Sequence, residues 1–149
     1  SATVQPGGHR LTFEWDCRWR ARQLDWLDEY GEPDQVRAAI RGSGVVRGVA
    51  WVFCPHTTAG VTIQENADPD VQHDVLLALE NAVPPHAARG RYRHGEGNSD
   101  AHVKAALVGS SVAVPIEGGG PTLGTWQGIF LCEFDGPRHR TLLVQVMGA

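Results

Sequence analysis

Cysteine is scarce in this chain, and basic residues are spread thinly. The 149 residues include three cysteines, Cys17, Cys54 and Cys132, an odd number with no CxxC pair. This pattern argues against a disulfide framework and against a cysteine-rich zinc knot, so we expect reduced thiols. The formal net charge is -4 and the basic run RWRAR at 18–22 is short, so the chain offers no strong electrostatic contact with a phosphate backbone. We therefore expect no nucleic-acid partner.

Long hydrophobic runs are also missing. No apolar stretch approaches the roughly 20 residues of a membrane span, and the first residues show no basic segment followed by an apolar one. We therefore expect a cytoplasmic protein without membrane contact. The length fits a single domain over residues 1–149. Residues 1–10 lack a period and are expected to be a flexible lead-in, and residues 17–33 show no clean pattern.

The remaining sequence predicts more strands than helices. Val36, Ala39 and Ile40 share one face of a short helix, and Asp68 with Pro69 begins a longer helix that stops at Pro84. A third helix is expected from Ser99 or Asp100 to Gly109. Strands are expected at 11–15, 45–54, 61–63, 110–116, 123–134 and 140–147, with a hairpin turn at 135–136. Because the helices interrupt the strands irregularly, the pattern favours an α+β fold with two packed sheets flanked by helices.

The connection between the second and third helices is rich in groups that bind ions. About fifteen residues separate Pro84 from Ser99, and loops of this length in compact domains are usually functional or disordered. His94, Glu96, Asp100 and His102 follow one another closely here, and Gly95 and Gly97 would let the backbone wrap tightly around an ion. His102 would also lie in the first turn of a helix, where backbone N–H groups favour an anion. The loop therefore predicts a site for a metal ion or a phosphate.

A third histidine follows the apolar strand 45–54. His56 precedes Thr57 and Thr58, whose hydroxyls are able to bind a phosphate oxygen. Together with His94 and His102 it would complete a three-histidine metal site with an open position, although the sequence does not show that the three converge. Glu65 is the carboxylate that we would add, as a ligand or as a general base.

The last predicted sites lie on the strand 123–134. Cys132 alternates with Phe130 and Phe134, so an inert core thiol is the simpler interpretation. Glu133 lies among apolar neighbours and needs a partner, a ligand or a subunit interface; Arg138 is a candidate partner. Trp126 precedes this strand and is able to wall a pocket for a flat ring, although packing is the commoner role of such a tryptophan.

Three separated blocks resemble one known family. HTTAGVTIQENADPDV, HGEGNSDAHVKAALVGSS and LGTWQGIFLCEFDGPR occur in the order found in the YjbQ-like family, also called the secondary thiamine-phosphate synthase family, and the likeness spans roughly residues 42–148. It implies a compact α+β fold with a β-sandwich core, a homotrimer, and a site between subunits. The segment 17–33 is richer in tryptophan and charge than the family pattern.

The resemblance also implies a set of site residues. Zinc, or another divalent ion such as magnesium with a diphosphate substrate, is expected at His56, His94 and His102. The positions matching the family's polar pattern are predicted to bind substrate or to be catalytic: Thr57, Thr58, Trp126 and Gln127 for binding, and Glu65, Asp100, Cys132 and Glu133 for catalysis.

The activity that the resemblance implies is weak synthesis of thiamine phosphate. The reaction joins an aminopyrimidine diphosphate to a thiazole phosphate and releases pyrophosphate. A dedicated enzyme of this kind would show several lysines or arginines around the diphosphate, whereas Lys104 is the only lysine in the chain. We therefore expect a small-molecule enzyme, metal-dependent and acting on a phosphorylated substrate, in which synthase activity is a side reaction. The alternatives are a noncatalytic trimeric module that binds a metabolite or metal, and a purely structural domain.

Overall fold

The computed structural model describes residues 2–5, 8–11, 15–16, 23–26 and 35–149, with side chains from Val36 onward. Cys17 and most of the segment 17–33 lie outside the described residues. The described helices are α1 (Gln35–Ser43), α2 (Pro69–Ala82) and α3 (Ser99–Val108). The described strands are β1 (Ala2–Gln5), β2 (Gly8–Leu11), β3 (Trp15–Asp16), β4 (Gln23–Trp26), β5 (Gly48–Phe53), β6 (Ala59–Glu65), β7 (Ser111–Glu117), β8 (Gly120–Pro121), β9 (Gln127–Glu133), β10 (His139–Arg140) and β11 (Leu143–Gly148).

Two sheets form the centre of the described fold. The larger has four strands in the order β11-β5-β7-β8, and the smaller has three in the order β4-β9-β6. The pairings are antiparallel in both sheets. Two further pairs, β1 with β2 and β3 with β10, are two-stranded. The α+β fold with two packed sheets and flanking helices is confirmed.

The main core lies between the two sheets. Alternate residues of β5, β7 and β11 point inward from the larger sheet, while Val61, Ile129 and Leu131 oppose them from the smaller sheet. The apolar face of α1 joins the same cluster, as its helical spacing predicts. At about 25 cal/mol for each Å² of apolar surface removed from water, this layer is the main source of stability.

The other face of the smaller sheet is covered by helices. Phe130, Cys132 and Phe134 pack against Leu76 of α2 and Ala101 of α3. Because successive strand residues point to opposite faces, β9 contributes to both cores, and six of its seven residues are buried. Gly60 lets α3 approach closely, since a Cβ there would lie 2.7 Å from the carbonyl oxygen of Gly109.

The helix boundaries agree with the sequence. The Asp68 carboxylate accepts a hydrogen bond from the backbone N–H of Asp70 at the start of α2, and α3 begins at Ser99 with Asn98 as its N-cap. The Asp68 bond is the usual capping interaction, whereas α3 begins without a side-chain capping bond from Asn98.

The structure corrects two expectations about strands. The hairpin at Asp135 and Gly136 does not form, because β9 pairs within the smaller sheet whereas β11 pairs with β5 in the larger one. A turn signal shows that the chain reverses, but the destination of the next strand depends on the packing of the two sheets. The strand predicted at 123–134 begins only at Gln127. Residues 2–5 and 8–11, within or beside the expected lead-in, pair as β1 and β2; the flexibility of residues 1–10 stays a prediction.

Candidate functional site

A pocket of about 290 Å³ lies at one end of the smaller sheet. Pro55, His56, Thr57 and Thr58 enter it from the segment between β5 and β6. The loop before α3, the first turn of α3, and the chain after β9 supply the rest of the lining, namely Glu96, Asn98, His102, Asp135, Arg138 and Arg140. Polar groups from three separate parts of the chain therefore converge on one cavity.

A buried ion pair supports one wall of the pocket. Glu133 and Arg140 are 1% and 4% exposed, and the carboxylate of Glu133 accepts hydrogen bonds from Nε and Nη2 of Arg140, the latter at 2.6 Å. Arg140 Nη2 also donates to Thr58 Oγ1 at 2.8 Å, and the backbone N–H of Asp135 donates to Glu133 Oε1. Burial opposes the charge of Arg140, but its hydrogen bonds with Glu133 and that residue's charge more than offset this, so the pKa of the guanidinium is raised.

His56 is held in one tautomer beside this pair. Its Nε2 accepts a hydrogen bond of 2.8 Å from the backbone N–H of Thr141. Partial burial, followed by the nearby positive charge of Arg140, lowers the pKa of His56. The neutral ring therefore dominates at pH 7, and because Nε2 is the acceptor, its single hydrogen lies on Nδ1.

A second hydrogen-bonded group joins the loop, α3 and the chain after β9. Asp135 Oδ2 accepts a hydrogen bond of 2.8 Å from Asn98 Nδ2. The same oxygen forms an ion pair with Arg138 Nη2 at 3.0 Å. Asn98 is 8% exposed, and its Oδ1 is a buried polar atom without a hydrogen-bond partner in the described part of the chain. Arg138, which is half exposed, therefore pairs with Asp135. The partner of Glu133 is Arg140, so the suggestion of Arg138 in that role was wrong.

The two histidines of the loop and α3 lie next to each other. The rings of His94 and His102 lie edge to face with centroids 5.2 Å apart, and His94 Nε2 lies 3.7 Å from Glu96 Oε2. His102 and Glu96 also line the pocket with His56. The structure thus brings His56 and His102 to one pocket, with His94 beside His102, a convergence that the sequence could not show.

These residues do not form a recognisable metal site as they are arranged. Among the described residues, no three His, Cys, Asp or Glu side chains converge to hold an ion. His56 fits poorly as a ligand because its Nε2 lone pair accepts the Thr141 N–H, and its Nδ1 carries the ring hydrogen. Zinc or magnesium binding remains a prediction from the sequence.

The other predicted residues lie away from the pocket. In the register of β6 with β9, Ala59 opposes Glu133 and Glu65 opposes Gln127. Six residues of strand, about 20 Å at 3.3 Å per residue, therefore separate Glu133 from Gln127. Trp126, next to Gln127, is 62% exposed. Within a single chain, Glu65, Trp126 and Gln127 form a second polar group at the opposite end of the same strands.

Two predicted catalytic residues have structural contacts. The Asp100 carboxylate accepts a hydrogen bond of 2.9 Å from the buried ammonium of Lys104, one helical turn later. Cys132 lies beneath the helices between two phenylalanines. Neither side chain lines the pocket.

Three pocket residues were not found from the sequence: Asn98, Asp135 and Arg140. A buried glutamate requires a cation, and Glu133 was correctly identified as such a case. However, Arg138 and Arg140 lie only two residues apart and both are close to Glu133 along the chain, so sequence position does not distinguish them as partners. Asn98 was missed because an asparagine directly before a helix usually serves only as its N-cap.

Most of the chain matches one known protein family. Residues 33–149 match the family described as UPF0047 protein YjbQ-like. The chain belongs to the YjbQ-like family. The match covers α1 and everything after it, so the sequence resemblance over 42–148 is confirmed and extended.

The relatives within the YjbQ-like family are close. The UPF0047 protein MJ1081 of Methanocaldococcus jannaschii is 51% identical over 113 residues, which cover 76% of this chain and 80% of that protein. The UPF0047 protein YugU of Bacillus subtilis is 49% identical over 114 residues, covering 76% and 85%.

Solved structures of YjbQ-like proteins agree with the fold. A crystal structure of an uncharacterised YjbQ/UPF0047 protein from Clostridium acetobutylicum superposes with a TM-score of 0.82 at 46% identity, covering 92% of this chain and 99% of that one. A YjbQ-like protein of unknown function from Sulfolobus solfataricus gives 0.78 at 27% identity, covering 95% and 100%. The fold is therefore shared, while the function of these similar proteins is unknown. No helix in the described part of the chain has the length and apolar character needed to cross a membrane.

Proposed function

We propose that this YjbQ-like protein is an enzyme that binds a small phosphorylated metabolite in the pocket beside β9. The observation that carries the proposal is the convergence of two arginines and two threonines on one cavity. Arg140 is fixed by the buried Glu133, and Arg138 by Asp135. Arginine and hydroxyl groups are common partners of phosphate oxygens, and groups held in place lose little freedom when the ligand binds.

Histidines supply the chemistry in this proposal. His56 presents Nδ1–H as a hydrogen-bond donor and is uncharged at neutral pH, so it suits an anion without repelling a second cationic group. His102 lines the same cavity and is supported by the ring of His94. A histidine near a bound phosphate is suited to transfer a proton to or from a reacting group. The chemical class is therefore phosphoryl or pyrophosphate-releasing transfer, with Glu133 positioning Arg140 and not itself moving protons.

The pocket in one chain is small for two substrates. Its volume of about 290 Å³ lies at the lower end of the range of about 300–1,000 Å³ typical of small-molecule sites. The distant group lies at the other end of the sheet, where Trp126 and Gln127 are exposed and Glu65 is half-buried. We propose that a neighbouring copy of the chain brings this group to the pocket, and that Trp126 stacks on the ring of the second substrate.

A homotrimer is the proposed assembly. One surface of the larger sheet is consistent with a subunit contact: Trp51, Phe53 and Met147 are each about 40% exposed on its outer face. Ala113 and Pro115 of the neighbouring β7 face outward as well. An apolar face of this kind on a described single chain is typical of a surface that is buried by another protein.

Binding and turnover should be measured together. We expect calorimetric titration to show that pyrophosphate and inorganic phosphate bind the wild type. Arg138→Ala and Thr57→Val should each weaken that binding by roughly tenfold, the usual effect of losing one hydrogen bond to a charged group. Arg89→Ala is the matched control, because Arg89 is exposed and lies outside the pocket. If neither anion binds, or if the control weakens binding equally, the proposal is wrong.

Turnover separates the enzyme from a binding module. Release of pyrophosphate from an aminopyrimidine diphosphate in the presence of a thiazole phosphate should be slow in the wild type and abolished by His102→Ala. Anion binding without turnover of this or other phosphorylated substrates would favour the noncatalytic trimeric module.

The metal prediction requires its own measurement. Elemental mass spectrometry of protein purified without a histidine tag should give about one zinc-like ion per chain if His94 and His102 recruit a further ligand, and His102→Ala should lose it. Protein that binds anions but contains no metal would rule out metal dependence and leave the anion pocket intact.

A further inference from the structure

The two polar atoms of the Asn98 side chain differ in their hydrogen bonding. Its Nδ2 donates to Asp135 Oδ2 at 2.8 Å and lies 3.5 Å from Glu96 Oε2. Its Oδ1 is buried without a partner among the described residues. The two carboxylates fix the orientation of the amide, because turning it over would place Oδ1 against an acceptor.

The unpartnered oxygen is not explained by helix capping. As the N-cap of α3, Asn98 would ordinarily use Oδ1 to accept a backbone N–H from the first turn. The structure shows no such side-chain bond; the backbone carbonyl of Asn98 accepts from Ala101 and His102 instead. Buried polar atoms are nearly always paired, so an exception beside a cavity indicates a missing partner.

That partner must be a donor, and it must lie close to the bound anion. Asn98 Nδ2 and Arg138 Nη2 contact the same carboxylate oxygen of Asp135, so these two nitrogens are within about 6 Å of each other by ordinary hydrogen-bond geometry. Both residues line the pocket. A ligand whose phosphate lies against Arg138 would therefore place its neighbouring group against the Asn98 side chain. Oδ1 itself has almost no accessible surface in this structure, so a small shift of the groups around it has to accompany binding.

We propose that Asn98 is a specificity-determining residue that selects phosphorylated ligands carrying a hydroxyl or amino donor directly beside the anionic group. This inference rests on the proposed function, since it needs the anion in the pocket. The arginines and threonines of the pocket can bind any phosphate group. Asn98 Oδ1 additionally requires that the ligand carry a hydrogen-bond donor. A ligand with only a methyl group at that place leaves the oxygen buried and unpaired, and sites of this kind reject such analogues strongly.

Three phosphonates of similar size test the proposal. Hydroxymethylphosphonate and aminomethylphosphonate carry a donor one carbon from phosphorus, whereas ethylphosphonate carries a methyl group there. Calorimetric titration of the full chain should show the two donor compounds binding about tenfold more tightly than ethylphosphonate. In Asn98→Leu the difference should fall below about twofold. Asn81→Leu, on the exposed side of α2, should keep the wild-type preference.

A second variant covers the case in which Asn98→Leu does not fold. Asn98→Asp keeps a side-chain acceptor and should retain the preference for aminomethylphosphonate, while binding all three anions more weakly. Equal affinity of the wild type for the three compounds would overturn the proposal and assign Oδ1 to a bound water. The proposal would also be overturned if folded Asn98→Leu kept the preference for the donor compounds, or if folded Asn98→Asp lost its preference for aminomethylphosphonate. If no phosphonate, phosphate or pyrophosphate binds the wild type, the anion pocket itself fails; equal binding of all of them removes only the role of Asn98.

Discussion

The two ends of the smaller sheet use the same two strands in opposite ways. At the end where Ala59 opposes Glu133, the chain buries an ion pair that supports one wall of the pocket. At the end where Glu65 opposes Gln127, the polar groups and Trp126 are not buried. At the first end, Asn98 Oδ1 is the one buried side-chain polar atom without a hydrogen-bond partner among the described residues. The second is a set of side chains that the chain holds in place without covering, which is what an interface needs.

The comparison can be tested by damaging each end in turn. Changes to the buried ion pair should cost stability first and binding as a consequence. Changes at the exposed end should leave the stability of the chain unaltered and alter only assembly or turnover.

Arg140→Ala should have the largest effect. Removing the guanidinium leaves Glu133 buried without its cation, which typically lowers the free energy of unfolding by about 3–5 kcal/mol. Urea denaturation followed by circular dichroism measures it. Arg138→Ala is the control, because Arg138 is half exposed and its partner Asp135, only 10% exposed, keeps the hydrogen bond from Asn98, so the loss should be smaller, about 1–2 kcal/mol. Similar losses in the two variants would contradict the distinction between the buried and exposed pairs.

Thr58→Val should have an intermediate effect. Valine preserves the shape but removes the oxygen that accepts from Arg140 Nη2, so we expect a loss of about 1–2 kcal/mol in the same measurement. Thr57→Val should leave the free energy of unfolding unchanged, because Thr57 is exposed, while weakening anion binding. The idea fails if Thr58→Val is as stable as the wild type.

His56 should make stability depend on pH. Its pKa is lowered in the folded protein, so the unfolded chain takes up a proton first as the pH falls. Stability is therefore fully present above the unfolded pKa of about 6.5 and declines as the pH falls from there through the lower folded pKa. The melting temperature of the wild type should drop more between pH 7.5 and pH 5 than that of His56→Gln, whose amide oxygen is able to accept the Thr141 N–H. Parallel curves for the two proteins would show that His56 does not carry this dependence.

Trp126→Ala should have the smallest effect on stability. Trp126 is largely exposed, so the free energy of unfolding should change by less than about 0.5 kcal/mol. If a neighbouring copy uses this residue, turnover should fall at least tenfold while anion affinity stays the same. Unchanged turnover in a folded Trp126→Ala protein would remove the exposed end from the site.

Assembly provides a separate check on the larger sheet. Trp51→Glu should convert trimers to monomers in sedimentation velocity, because a charge in a buried apolar contact is strongly unfavourable. Leu77→Glu, at a similarly exposed position on α2, should leave the trimer intact. A monomeric wild type would remove the proposed assembly.

Local chemistry determined much of what the sequence predicted correctly. Asp68 with Pro69 begins α2, and Gly109 ends α3, because capping and backbone preferences act over a few residues. The alternation of β9 and the apolar face of α1 identified the core, since burial follows a short period. The grouping of His94 and His102 also followed from their spacing along the chain.

Only the tertiary structure decided how these pieces combine. It selected Arg140 over Arg138 as the partner of Glu133, and it separated β9 from β11 where a local turn signal predicted a hairpin. It also divided the predicted site residues between two ends of one sheet, because strand register fixes distances that motif order does not contain. The sequence by itself therefore determined which side chains are available for chemistry. The packing of two sheets and three helices determined which of them meet.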